Sequence, residues 1–213
     1  MNTKMQNSHL HVVDHPLAAH LLAGLRDIQT KPGQFRQIAH ALSTILVLEA
    51  TRNIRTYKTK VNSPLEETDV ICLDQGLAVI PILRAGLGML EPALTLFPDV
   101  AVGYIGLERD EQTARSSKYY CKLPHLKDRY TLCFDPMLAT GGSAARALSL
   151  IKEHGANKIV MVSVICSPEG VEYLHQQHPD VPIVVANVDR ELNRQRFIVP
   201  GLGDFGDRLY GTM

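Results

Sequence analysis

The stretch Asp135-Pro136-Met137-Leu138-Ala139-Thr140-Gly141-Gly142-Ser143 sets a carboxylate, adjacent glycines and hydroxyls between an apolar run and a helix-like one. Glycine lets a backbone approach a ligand closely, and a helix start offers amide N–H donors at the positive end of the helix dipole. An anion fits there, most simply a phosphate. The stretch lacks the Lys of a GxxxxGK(S/T) triphosphate loop and has Asp135 at the strand end instead. That combination suits a phosphate monoester beside hydroxyls, such as a 5-phosphosugar whose hydroxyl donates to Asp135. The plain alternative is a tight strand-to-helix turn with Ser143 as N-cap.

Three further segments could share this chemistry. Arg84 follows an apolar run and precedes Ala85-Gly86-Leu87-Gly88, so an Arg fork and close backbone amides could meet a diphosphate; otherwise Arg84 is a solvated charge. Gly106–Thr113 carries Arg109 and leads through Ala114–Ser117 to Tyr119-Tyr120, which reads either as a polar hairpin or as a flap that closes over a charged substrate. Phe197–Arg208 spaces Gly201, Gly203 and Gly206 around Pro200 and apolar residues, unlike a frayed tail. Its amides and carbonyls could read the edge of a flat heterocycle.

These segments need a scaffold that brings them together. The runs 77–83, 100–107, 130–134, 159–165 and 183–188 predict strands, and helices are expected near 87–96, 143–154 and 168–175. Alternation of this kind predicts an α/β fold with a mainly parallel sheet covered on both faces, whose ligands bind beyond the carboxyl ends of the strands. Upstream, 16–28 and 34–54 read as helices separated by Lys31-Pro32-Gly33, and the text around Asn62-Ser63-Pro64 reads as a polar stretch.

Composition narrows the classes. With 213 residues and 45% apolar content, the chain is long enough to bury a core. Acidic and basic residues balance at 22 each, with no block of like charge, which argues against nucleic-acid binding. Cys72, Cys121, Cys133 and Cys166 lie in apolar segments without CxxC spacing, so buried thiols in a reducing compartment are expected rather than disulfides or zinc. No long apolar leader or membrane span is evident, and a cytoplasmic location is the expectation.

Taken together, Pro81–Met89, Gly106–Thr113, Tyr119–Pro124, Asp135–Ser143 and Pro200–Thr212 closely resemble, in order, the motifs of the uracil phosphoribosyltransferase family. His15–Asp27 and Glu49–Ile54 extend the resemblance over nearly the whole chain. It implies a type I phosphoribosyltransferase fold with N-terminal helices and a flap, or hood. As one domain over 1–213, it divides into a helical part over 1–60, an α/β core over 77–190 and a base-recognition loop over 191–213. The implied reaction joins uracil to 5-phosphoribosyl 1-diphosphate, giving UMP and diphosphate. By motif, the 5-phosphoribosyl diphosphate contacts fall on Arg84, Arg109, Asp135, Pro136, Met137, Leu138, Ala139, Thr140, Gly141, Gly142, Ser143 and Asp204. The uracil contacts fall on Ile198, Gly203, Asp204 and Phe205, largely through backbone groups. Arg109 and Asp204 are the candidate catalytic residues, although Asp204 could merely cap a turn. Mg²⁺ is expected through substrate and water rather than through protein ligands. Some members of the family are activated by GTP, and a homo-oligomer, dimer or tetramer, is expected.

The chain departs from the family pattern at Phe205, usually Ala, at Arg196-Phe197, usually Gly-Tyr, and at Ala114–Ser117, where a Pro is usual. Small residues usually precede Pro168-Glu169-Gly170, where this chain has Ile165-Cys166-Ser167. If the base is read by backbone amides and carbonyls, Phe205 can preserve that reading, but its added bulk could narrow the pocket or cover the base. Two alternatives stand beside uracil salvage: a non-catalytic sensor of 5-phosphoribosyl diphosphate or a nucleotide, and the same transfer to a modified pyrimidine selected by Phe205.

Overall fold

The computed structural model describes residues 9–109 and 116–212, without the side chains at 108, 109 and 116–118. The elements are β1 (Leu10–Val12), α1 (Pro16–Arg26), α2 (Pro32–Ala50), β2 (Thr56–Asn62), β3 (Glu67–Leu73), β4 (Leu77–Leu83), a 3₁₀ turn (Ala85–Met89), α3 (Leu90–Leu96), β5 (Ala101–Val102), β6 (Tyr104–Arg109) and β7 (Ser116–Lys122). They continue as β8 (Tyr130–Phe134), β9 (Met137–Leu138), α4 (Gly142–Glu153), β10 (Lys158–Cys166), α5 (Pro168–Gln177), β11 (Ile183–Val188), β12 (Glu191–Leu192), β13 (Ile198–Val199) and α6 (Phe205–Tyr210).

The main sheet runs β1-β11-β10-β8-β4-β6-β7, and each neighbouring pair is parallel except β6 with β7. Strands covered on both faces favour apolar residues on both, which is why β4 reads as an unbroken apolar run and β8 and β10 as nearly so, broken by the buried Thr131 and Ser163 and by Lys158 at the start of β10. Their side chains alternate between two cores. Val79, Leu132, Val160 and Val162 pack with α1, α2, α3 and α6. Ile80, Cys133, Met161 and Ile183 pack with α4 and α5. Tyr130 Oη donates to the Ala50 carbonyl at 2.9 Å, tying the end of α2 to the sheet.

Several boundaries differ from expectation. Pro32 suits the first turn of α2, where its missing N–H is harmless, so the helix starts before Gln34. It ends at Ala50 rather than Ile54, and the Thr51 hydroxyl turns back onto the Val47 carbonyl at 2.8 Å. The helix expected over 87–96 divides into the 3₁₀ turn and α3. The strand expected over 100–107 breaks at Gly103, where a Cβ would lie 2.8 Å from Ile80, Leu123 and Pro124. The first 60 residues, expected to be helical, also contain β1, which extends the sheet beside β11, and most of β2. The stretch read as polar is the β2–β3 hairpin, turned at Ser63, whose hydroxyl accepts from the Leu65 and Glu66 amides.

Candidate active site

Parallel strands end on one edge, so this topology gathers residues that are far apart in sequence. Arg84 follows β4, Arg109 ends β6, Asp135 follows β8, Ser167 follows β10 and Asp189 follows β11. This edge is where the segments singled out from the sequence meet.

Within the anion loop, the Pro136 carbonyl accepts from the Val164 and Ile165 amides at 3.0 and 3.1 Å, and Met137-Leu138 pair with β10 as β9. Ala139 and Thr140 follow, and α4 opens at Gly142 with Gly141 as its N-cap at φ 77°. Ser143 therefore sits in the first helical turn rather than at the cap. Gly141 has no side chain to cap that turn, which leaves the helix start facing a small concavity of about 50 Å³ lined by Asp135, Met137, Leu138, Ala139, Thr140, Gly141, Ser143 and Ala144. Burial pushes the Asp135 carboxyl up to about 6, partly offset by the Met137 amide that donates to it.

The Arg84 turn is seated against this loop. A Cβ on Gly86 would lie 2.5 Å from the Phe134 carbonyl, so only glycine permits the contact beside Asp135. The Arg84 guanidinium is largely exposed, with Asp207 3.9 Å away, and the Tyr210 hydroxyl meets the Arg84 carbonyl at 3.4 Å. The C-terminal segment thereby borders the Arg84 turn. Ile198 lies buried in β13, paired with Leu192. Gly201 and Gly203 take φ of 66° and 79°, which glycine adopts without penalty. Asp204 is exposed and caps α6, its carboxylate accepting from the Asp207 amide at 2.9 Å.

The Phe205 side chain does not supply the added bulk beside a base that the sequence left open. It is 1% exposed and packs edge-on against Phe35 at 5.1 Å between ring centroids, because the first turn of α6 faces the α2 core. Only its backbone is left to meet a ligand. Phe197, by contrast, is 55% exposed, and Arg196 (φ 66°) turns the chain between β12 and β13. Arg109 closes the β6 register opposite Ser116, but its side chain and residues 110–115, including Ala114 and Arg115 of the flap, lie outside the described residues.

Sequence reasoning missed the residues that hold these loops in place. The Ser167 hydroxyl donates to the Ala139 carbonyl at 2.7 Å and accepts from Gly170 N–H at 2.9 Å, and its own amide donates to the Leu138 carbonyl at 3.0 Å. Ser167 thus joins the N-cap of α5 to the anion loop, while nothing in the structure explains the departure at Ile165 and Cys166. Glu169 accepts from the Leu192 amide at 3.1 Å, and its carboxyl is held below the usual range by backbone hydrogen bonds. Asp189, with its carboxylate fully buried, accepts from Arg26, Asn187 and the Gly201 amide. Arg208, 7% exposed, donates to the Leu25 and Leu202 carbonyls and lies over the Phe35 ring at 4.6 Å. The signal for Asp189 was present: like Asp135, it is an acid immediately after an apolar run.

Comparison with known proteins agrees with this arrangement. Residues 12–212 match the family model described as uracil phosphoribosyltransferase. The chain is 43% identical over 205 residues to the uracil phosphoribosyltransferase of Thermosipho africanus, covering 95% of this chain and 99% of that protein. It is 47% identical over 203 residues to that of Finegoldia magna, covering 94% and 97%. Its structure is similar to that of the AQ2163 protein from Aquifex aeolicus, with a TM-score of 0.90 and 38% identity over 94% of this chain and 97% of that one. With the motifs in order, the sheet edge assembled and nearly full-length relatives on both sides of the comparison, the chain belongs to the uracil phosphoribosyltransferase family.

Proposed function

We propose that the family reaction, uracil plus 5-phosphoribosyl 1-diphosphate giving UMP and diphosphate, takes place at the carboxyl edge of the sheet with the following division of labour. Amides of the loop 140–143 and the dipole of α4 hold the 5-phosphate, the Ala139 amide being engaged instead with the Met137 carbonyl at 2.9 Å. The Asp135 carboxylate accepts from a ribose hydroxyl, and Arg84 and Arg109 stabilise the leaving diphosphate. Backbone groups of Ile198, Gly203, Asp204 and Phe205 read the uracil edge, and Asp204 organises ribose or bound water. The bond from the anomeric carbon to diphosphate breaks ahead of attack by the uracil ring nitrogen, so positive charge develops on the ribose, the diphosphate departs with the electron pair, and the ring-nitrogen proton passes to solvent or to the departing diphosphate. Positioning and leaving-group stabilisation then supply most of the rate.

The observation that carries this reading is the meeting of three segments at one edge: the Arg84 turn, the loop opening α4, and the glycine loop before α6. Bound with the diphosphate, Mg²⁺ supplies charge neutralisation.

A homo-oligomer is supported by the β2–β3 hairpin, which leaves Tyr57, Val61, Ile71 and Leu73 exposed, with Leu65 at its turn. A cytoplasmic location is supported by four free cysteines. The purified protein, given uracil, 5-phosphoribosyl diphosphate and Mg²⁺, should form UMP. Turnover with another base and none with uracil would defeat the substrate assignment. The same assay with and without GTP tests activation, and light scattering tests assembly.

A further inference from the structure

We propose that Arg26 and Asp189 form a clamp that sets the position of the uracil-reading loop, making both of them positioning residues for the base. The inference rests on the reading that the segment 198–205 meets uracil. Arg26 stands in the last turn of α1 and Asp189 just after β11, yet both converge on Gly201. The Arg26 guanidinium donates to both carboxylate oxygens of Asp189, with Nη1 to Oδ2 at 2.8 Å, and Nη1 also donates to the Gly201 carbonyl at 2.6 Å. The Gly201 amide donates to Asp189 Oδ2 at 2.8 Å. Both backbone polar groups of Gly201 are thereby held by one ion pair. Asn187 Nδ2 donates to Asp189 Oδ1 at 2.6 Å, and the Asp189 amide donates to the Cys166 carbonyl at 2.8 Å, which anchors the acid to the sheet.

A pair this sheltered adds little net stability, because taking its charges out of water offsets their attraction. Its distinctive contribution is direction. A bidentate fork fixes orientation as well as distance, and Gly201 precedes Gly203 and Asp204 by only two and three residues. Recognition through backbone amides and carbonyls tolerates displacement of only about 0.5 Å. Arg208, donating to the Leu202 carbonyl at 2.7 Å, holds the next residue from the core side. The clamp grips Gly201 on the uracil side of the loop, and Asp204, three residues on, is the residue of this loop shared with 5-phosphoribosyl diphosphate, so the larger effect should fall on uracil.

The test measures the KM for each substrate in Arg26→Lys, which keeps the charge but loses the fork, and in Asp189→Asn, which keeps the shape but loses an acceptor. Gly203→Ala, which strains the loop directly at φ 79°, serves as the reference. The clamp predicts that KM for uracil rises at least about tenfold in Arg26→Lys and Asp189→Asn, while KM for 5-phosphoribosyl diphosphate, which shares only Asp204 with this loop, rises by about threefold at most. If Asp189→Asn does not fold, Arg26→Lys, whose side chain reaches solvent, decides alone. A rise in uracil KM in Gly203→Ala but not in Arg26→Lys overturns the clamp and leaves the base site standing. An equal rise for both substrates with a lowered Tm also overturns the clamp, since it marks general destabilisation. Unchanged uracil KM in all three variants overturns the assignment of the loop to the base.

Discussion

Gly170 lies behind the anion loop and offers a demanding test of how that loop is held. A Cβ built on it would stand 2.2 Å from the Ala139 carbonyl oxygen and 2.6 Å from that of Leu138. Comfortable C···O contacts begin at about 3.3 Å, so Gly170→Ala requires the loop or the start of α5 to move by about 1 Å. Both are backbone, so no flexible side chain can yield instead. The same two carbonyls accept from the Ser167 hydroxyl and amide, so the displacement also loosens two hydrogen bonds. Overpacking of this kind costs about 1–3 kcal/mol, which for a chain of this length lowers Tm by roughly 2–12 °C. A misplacement of about 1 Å at a positioning element costs roughly 100-fold in rate. Initial rates with each substrate varied in turn should show kcat/KM for 5-phosphoribosyl diphosphate falling by about that factor in a folded variant. A value within threefold of the wild type, with Tm unchanged, would refute the view that α5 braces the phosphate cradle.

Phe205→Ala should cost about 3–5 kcal/mol, seen as a lowered Tm, while base preference stays with uracil, because the ring fills the core against Phe35; altered base preference at unchanged Tm would contradict the assignment. With its carboxyl pushed up to about 6, Asp135 is about 90% ionised at pH 7 and about 10% at pH 5. The pH profile of kcat/KM for 5-phosphoribosyl diphosphate should therefore fall as pH drops through about 6, and Asp135→Asn should lack that inflection. The raised value also means that Asp135 favours the fold below its unfolded pKa and loses that contribution as pH rises through about 6, so Asp135→Asn should raise Tm at pH 8 more than at pH 4. Gly33→Ala, near the start of α2 with nothing within 4 Å of the added carbon, should stabilise by about 0.4–1 kcal/mol without changing activity; destabilisation in thermal melts would contradict this.

Much of the scaffold was legible because buried parallel strands announce themselves. β4, β8 and β11 occupy the same residues that the apolar runs marked, since each must be apolar on both faces. The β2–β3 hairpin was not legible, because most of its residues are exposed and it lacks the one-sided apolar alternation of a half-buried pair. Ser63-Pro64, between runs rich in Thr, Tyr and Val, was the available signal. The loop proposed to hold a phosphate was singled out by its glycines and a carboxylate at a strand end, a local pattern. Ser167, Arg26 and Arg208 were not, since their roles depend on carbonyls 28, 175 and 183 residues away.

By itself the sequence determined the class of fold and the family, because these rest on periodicity and on motifs that are contiguous in the chain. Tertiary structure alone decided which way Phe205 faces. A helix of six residues presents its first side chain to whatever it packs against, and here that is Phe35 of α2. The departure that pointed from the sequence to an altered base pocket is thus a core substitution. The backbone of 198–205, the segment proposed to read the base, is held at Gly201 by an ion pair between α1 and the end of β11 that only long-range packing could bring together.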